Sequence, residues 1–281
     1  MHNTERGIEP MNEPSGSVSR RRALTLLAGA GGAAVLVACG SSTKSTAAST
    51  SSASSGSTTT TAAAAASTAS SAAPTSAIPE ETAGPFPGDG SNGPNVLTQD
   101  GVVRSDIRSS FGSLSGTAQG VPTTVELTIT DVAKSGAPYA GAAVYIWHCD
   151  RDGKYSLYSQ GVTNQNYLRG VQEADANGKV AFTTIFPAAY SGRWPHIHFE
   201  VYPTLADAKR AGNKIATSQL ALPQDTCNKV FATSGYEQSV TNMARTSLAS
   251  DMVFQDGADE ETPSVTGDVT NGFKLALTVP V

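Results

Sequence analysis

Apolar and polar residues alternate over Thr123–Val132, where Val125, Leu127 and Ile129 fall on one face. That period of two predicts a strand half buried against a core. Ala142–Cys149 is more apolar and reads as a second, central strand. Lys179–Phe186 predicts a third, opened by the turn Asp175-Ala-Asn-Gly178. Pro195–Tyr202, Thr217–Leu222 and Phe273–Val279 predict three more, with short helices at Leu205–Ala211 and near Glu237–Ala249. Between the second and third strands, Asp150–Ala174 is rich in Tyr, Gly, Asn and Gln and has no strong period. It is expected as a long loop, and loops of that length in compact domains usually carry function. Strands spaced by Gly, Pro and Asn turns, with one or two short helices and no internal repeat, predict an all-β fold, an antiparallel β-sandwich with long loops.

Upstream the pattern disappears. Arg20–Arg22, a Gly/Ala-rich apolar run and Leu36-Val37-Ala38-Cys39 describe an export signal over residues 1–38, with paired arginines that suggest the twin-arginine route. Leu-Val-Ala-Cys looks like a bacterial lipobox, in which Cys39 receives lipid and becomes the first mature residue. The uncharged stretch Ala23–Thr43 is just long enough to be weighed as a membrane anchor, but its glycines and small-small-Cys ending favour cleavage. Residues 39–76 are nearly all Ser, Thr and Ala, with too little apolar side chain to bury, and are expected as a disordered tether. Residues 77–281 are left as one domain of comfortable size. The expected location is the outer face of the bacterial cell membrane, reached only through the lipid on Cys39, or the medium.

Net charge alters the list of partners. The whole chain carries −5 at neutral pH, basic signal included, and nothing forms a basic stripe, so nucleic acid is not an expected partner. After Cys39, two of the three cysteines remain, Cys149 and Cys227. An oxidising exterior makes a Cys149–Cys227 disulfide a natural expectation, with two separate buried thiols as the alternative.

The candidate chemistry is concentrated in Tyr190-Ser-Gly-Arg193-Trp-Pro-His196-Ile-His198-Phe199. The chain has four histidines, and two of them stand here, one residue apart on a predicted strand. Both imidazoles therefore project from one face, which is half of a transition-metal site. A lone His-x-His is more often structural. The neighbours that can complete a site are phenols: Tyr190, and Tyr155 or Tyr158 from the long loop. A phenol, with an ordinary pKa of about 10, is a poor ligand for a divalent ion. A trivalent iron is charged enough to displace its proton. His148 reads as a satisfied sheet histidine, and Trp147 and Trp194 as packing residues.

Thr82-Ala-Gly-Pro-Phe86, Ile146-Trp-His-Cys-Asp150 with Gly-Lys-Tyr155, Phe186-Pro-Ala-Ala-Tyr190 and Arg193-Trp-Pro-His-Ile-His198-Phe resemble the intradiol ring-cleavage dioxygenases, in particular exported relatives of the catechol and protocatechuate enzymes. The resemblance covers most of Ile78–Val281. It implies a β-sandwich holding non-haem Fe(III), and insertion of both atoms of O2 between the hydroxyl-bearing carbons of a catechol to give a muconate-type diacid. Carried over by position, Tyr155, Tyr190, His196 and His198 are the metal ligands. Tyr190 is implied as the phenolate that leaves when substrate binds. Arg193 is the implied guanidinium that stabilises charge on the bound ring, and Gln219 its neighbour. The Tyr190–His196 spacing is shorter than in the intracellular enzymes, which implies a more open centre, and the helical region through which catechol dioxygenases dimerise is missing, which leaves oligomeric state open. Two other readings stand beside this one. A cupin-like metalloenzyme needs a glutamate farther beyond the second histidine than Glu200. A transthyretin-like surface domain would bind an aromatic or polysaccharide ligand without catalysis.

Overall fold

Nine strands and two short helices carry the described part of the chain, residues 76–281, in a computed structural model. The expected signal over 1–38, the lipidated Cys39 and all but the last residue of the 39–76 tether lie outside the described residues. In chain order the elements are β1 (Pro122–Asp131), β2 (Ala137–Pro138), β3 (Ala143–Trp147), β4 (Arg169–Glu173), β5 (Lys179–Ile185), β6 (His196–Tyr202), β7 (Ala216–Ala221), α1 (Gln224–Phe231), α2 (Glu237–Met243), β8 (Ser264–Asp268) and β9 (Gly272–Pro280). One sheet runs β2-β1-β9-β8, with β5 also paired to β1, and the other runs β4-β3-β6-β7. Pairing is antiparallel throughout except between β1 and β9, which run parallel.

The two sheets form a β-sandwich because each contributes an apolar face to one core. Val125, Leu127 and Ile129 of β1 meet Phe182 of β5, Ile146 of β3, and Ile197, Phe199 and Val201 of β6 there. The alternation that faces those β6 residues inward sends His196, His198, Glu200 and Tyr202 to the opposite side of their sheet. That side is also buried. The loops before β1 and after β3 cover it, packing Val96, Leu97, Phe111 and Tyr155 against Tyr145, Trp147 and Tyr202. A polar site is thus built between a rigid sheet and a layer of loops.

The six expected strands are present within two residues at each end. The expected loop Asp150–Ala174, however, contains β4. Its Arg-Gly-Val-Gln-Glu has one conventional apolar residue, and Arg169, Gly170 and Val171 are all buried, so no alternation announces it. The edge pieces β2 and β8 and the helix α1 are further additions; α1 buries Thr226, Cys227, Val230 and Phe231 at helical spacing behind Pro223. Leu205–Ala211 is not one helix but carries a 3₁₀ turn at Asp207–Lys209, followed by another at Ala211–Asn213. The helix expected to run to residue 249 stops at Met243, since Ser247 turns extended and caps a separate 3₁₀ turn, Leu248–Ser250. The expected disulfide is not formed. Cys149 and Cys227 are free, buried in different clusters, and directed to the carbonyls of Ala188 and Leu222. Among the described residues no helix is long and apolar enough to cross a membrane.

Candidate metal centre

β6 supplies the two imidazoles from its loop-covered face, and two loops bring the phenols to them. His196 Nε2 lies 3.2 Å from His198 Nε2, 3.2 Å from Tyr190 Oη and 3.4 Å from Tyr155 Oη. Four potential donor atoms therefore converge on one point, and all four side chains are buried or nearly so. Among the described residues no three His, Cys, Asp or Glu side chains gather as a metal-binding group; the phenols make the set.

Tautomers follow from the neighbours. His196 Nδ1 faces the Trp194 carbonyl at 2.5 Å. A carbonyl only accepts, so Nδ1 carries the proton and Nε2 offers its lone pair inward. His198 is fixed by stacking: its ring lies on Trp147 with centroids 4.8 Å apart and planes 2° from parallel. Its Nδ1 is buried without a hydrogen-bond partner. Burial, then the charge of Arg193, brings the His196 imidazole down to about 3. Burial, then His196, holds His198 well below its ordinary value. Both rings are neutral at physiological pH, the form that ligates a metal.

The phenols are also uncharged when no cation is present. Burial raises Tyr155 well above the usual phenol value, with Tyr190 the next cause. Burial pushes Tyr190 up to about 12. Two neutral imidazoles and two phenols that must lose protons on binding suit a hard, trivalent cation. The donor set fits ferric iron.

The loops that carry the phenols are locked. Gly153 adopts φ +79°, and a β-carbon there would stand 3.1 Å from Tyr190 Cβ. The strap Thr82–Pro87 packs against the site. Gly84 has φ +67°, and a β-carbon on it would lie 3.3 Å from His198 Cε1. Phe86 packs its ring between those of Tyr155 and Tyr158, at 5.2 and 5.1 Å. Of the two candidate tyrosines, Tyr158 Oη accepts from Gly88 N and donates to Asn92, while Tyr155 reaches the imidazoles.

Arg193 and Gln219 meet as expected, with Arg193 Nη2 donating to Gln219 Oε1 at 2.8 Å; Gln219 Nε2 in turn donates to the Thr82 carbonyl. Asp251, which no sequence signal marked, accepts from Arg193 Nε at 2.9 Å and from Trp194 N at 2.6 Å. Burial alone would raise its carboxyl, but those hydrogen bonds, the charge of Arg193 and the Val253 N–H together hold Asp251 below the usual value. Trp194 is therefore more than packing, because its backbone orients both His196 and Asp251. His148 is satisfied, as expected, by the Cys149 carbonyl and Thr184 Oγ1. Glu200 is engaged with Lys214 and Tyr202, 2.7 Å from each. A groove of about 390 Å³ between α1 and α2 touches Trp194 but none of the four donors.

The family signature described as Dioxygenase matches residues 107–227, a stretch that includes all six candidate residues. The match supports the intradiol ring-cleavage dioxygenase family for this stretch. The chain is 38% identical over 84 residues to a chlorocatechol 1,2-dioxygenase of Pseudomonas sp. (strain P51), covering 24% of this chain and 33% of that protein. It is 34% identical over 79 residues to a hydroxyquinol 1,2-dioxygenase of Corynebacterium glutamicum, covering 28% and 25%. These matches span about a third or less of the curated relatives. An intradiol ring-cleavage dioxygenase from Tetranychus urticae shares the fold, with a TM-score of 0.56 at 24% identity over 73% of this chain and 94% of that one.

Proposed function

We propose that the domain is a non-haem Fe(III)-dependent intradiol dioxygenase that cleaves catecholic rings with O2 to muconate-type diacids outside the cytoplasm. The observation that carries this reading is the approach of Tyr155 Oη, Tyr190 Oη and His198 Nε2 to His196 Nε2 within 3.4 Å. A non-catalytic sandwich has no use for two buried phenols aimed at two neutral imidazoles.

Tyr155, Tyr190, His196 and His198 would hold the iron. When bound, ferric iron would supply the Lewis acidity that retains both catechol oxygens and makes the ring reactive toward O2. Tyr190 is the less buried phenol of the two, and a leaving ligand needs that freedom. Its phenolate oxygen would be the base for one catechol proton, and hydroxide from solvent the base for the other. Arg193 faces the centre with its orientation fixed by Asp251 on one side and Gln219 on the other, and its charge favours the anionic ring. The strap, with Phe86 packed against Tyr155, would shield the centre from water on its side.

Relatives named for chlorocatechol and hydroxyquinol make substituted catechols the first substrates to try. The location rests on the expected signal over 1–38 and on Cys39. The test is oxygen uptake with a catechol panel, comparing wild type with Tyr190→Phe and His196→Ala. At least about a hundredfold loss is expected in His196→Ala, and equal uptake in all three proteins removes the assigned site.

A further inference from the structure

Arg169, at the start of β4, is 1% exposed, and all five of its guanidinium N–H groups meet neutral oxygens. Nε donates to Ser156 Oγ at 3.0 Å. Nη1 donates to the Pro87 carbonyl at 2.7 Å and to Tyr145 Oη at 3.1 Å. Nη2 donates to the carbonyls of Phe86 and Ser156 at 2.9 and 3.0 Å. The face of Tyr158 covers the group, its centroid 5.5 Å away. Burying a guanidinium is costly, and here that cost is offset by saturating its donors rather than by a carboxylate.

The acceptors fall on two segments. Phe86 and Pro87 belong to the strap whose Gly84 lies against His198. Ser156 follows Tyr155 directly, so its carbonyl and hydroxyl locate the Tyr155 backbone. One planar fork thus ties the strap to the loop that carries a phenol. We propose that Arg169 is a positioning residue for the metal centre, fixing the Gly84–Pro87 strap and Tyr155 in one register so that the phenol oxygen meets the imidazoles. This rests on the iron-binding reading of the site. The demand is for geometry rather than charge: a lysine ammonium has three donors on a flexible stem and cannot span five acceptors in a plane.

The test uses the full chain, wild type against Arg169→Lys and the milder Tyr145→Phe, which removes one acceptor from Nη1 and a hydrogen bond to Pro87. Amide hydrogen exchange is measured on metal-free protein, and ferric affinity by competition with citrate. In Arg169→Lys, exchange should accelerate selectively over 82–90 and 155–160, and ferric affinity should fall about 10–100-fold, the usual effect of losing a group that orients a ligand. Tyr145→Phe should loosen the strap alone. A uniform rise in exchange across the domain would mean a general stability role and overturn the proposal. So would local loosening with unchanged ferric affinity. Should Arg169→Lys not fold, Tyr145→Phe decides, and unchanged exchange over 86–90 overturns the coupling. Wild-type protein that takes up no ferric iron contradicts the metal reading instead, and the exchange data still judge the tie between strap and loop.

Discussion

The Nε2 atoms of His196 and His198 stand 3.2 Å apart, with Tyr190 Oη equally close to the first. Two neutral imidazoles in that relation either share one proton or share a cation. The first leaves His198 Nδ1 a bare acceptor and the second a bare N–H, and that atom is buried without a partner. A cation lets both rings turn lone pairs inward. Ferric iron should therefore stabilise the domain by an amount that grows with free metal over the dissociation constant, about 3 kcal/mol at a hundredfold excess. Thermal unfolding with and without ferric citrate checks this, and His196→Ala should abolish the gain.

Asp251 is fully buried and holds Arg193, whose side chain is 11% exposed. Asp251→Ala strands a guanidinium in a dry pocket, so about 3 kcal/mol of stability should be lost. Asp251→Asn keeps the shape but not the charge, and should lower kcat/KM for catechol by about tenfold or more while the fold survives. Denaturant unfolding beside steady-state oxygen uptake separates the two effects.

Gly84 combines a positive φ with a close approach to His198. Gly84→Ala should cost about 1 kcal/mol from the backbone alone and push the strap off the imidazole, weakening ferric binding. Gly212, which has no neighbour within 4 Å of an added β-carbon, is the control: Gly212→Ala should leave ferric affinity unchanged.

His148, which is not one of the four donors, provides a pH signature. Burial lowers its imidazole to about 4, against an ordinary value of 6.5. The unfolded chain therefore binds a proton between those values that the folded protein refuses. Stability from this group is complete above about pH 6.5 and is lost as pH falls toward 4. Between pH 7 and pH 5 the loss should be about 2 kcal/mol. Urea unfolding of wild type and His148→Gln at both pH values checks it, since the variant should show a loss smaller by that amount.

Sequence and structure agree best where a single face decides. Val125, Leu127 and Ile129 point one way because one side of β1 meets the core, and that alternation is legible. The His-x-His pair was equally legible, because β6 obeys the same rule. β4 was not, since both of its faces are covered and a buried arginine looks like a surface residue in sequence. Asp251 was invisible for a different reason. It reaches Arg193 from 58 residues away along the chain, and no local pattern encodes such a meeting. The choice of Tyr155 over Tyr158 rested on resemblance, and the geometry supplies its cause: Gly88 and Asn92 occupy the other hydroxyl.

The central claim is most directly tested by the visible spectrum of the domain as ferric iron is added, in wild type and in the Tyr155→Phe/Tyr190→Phe double variant. Phenolate-to-iron charge transfer should turn the wild type burgundy at one iron per chain and leave the double variant colourless. A wild type that stays colourless with iron bound, or a double variant with the same band, contradicts the account.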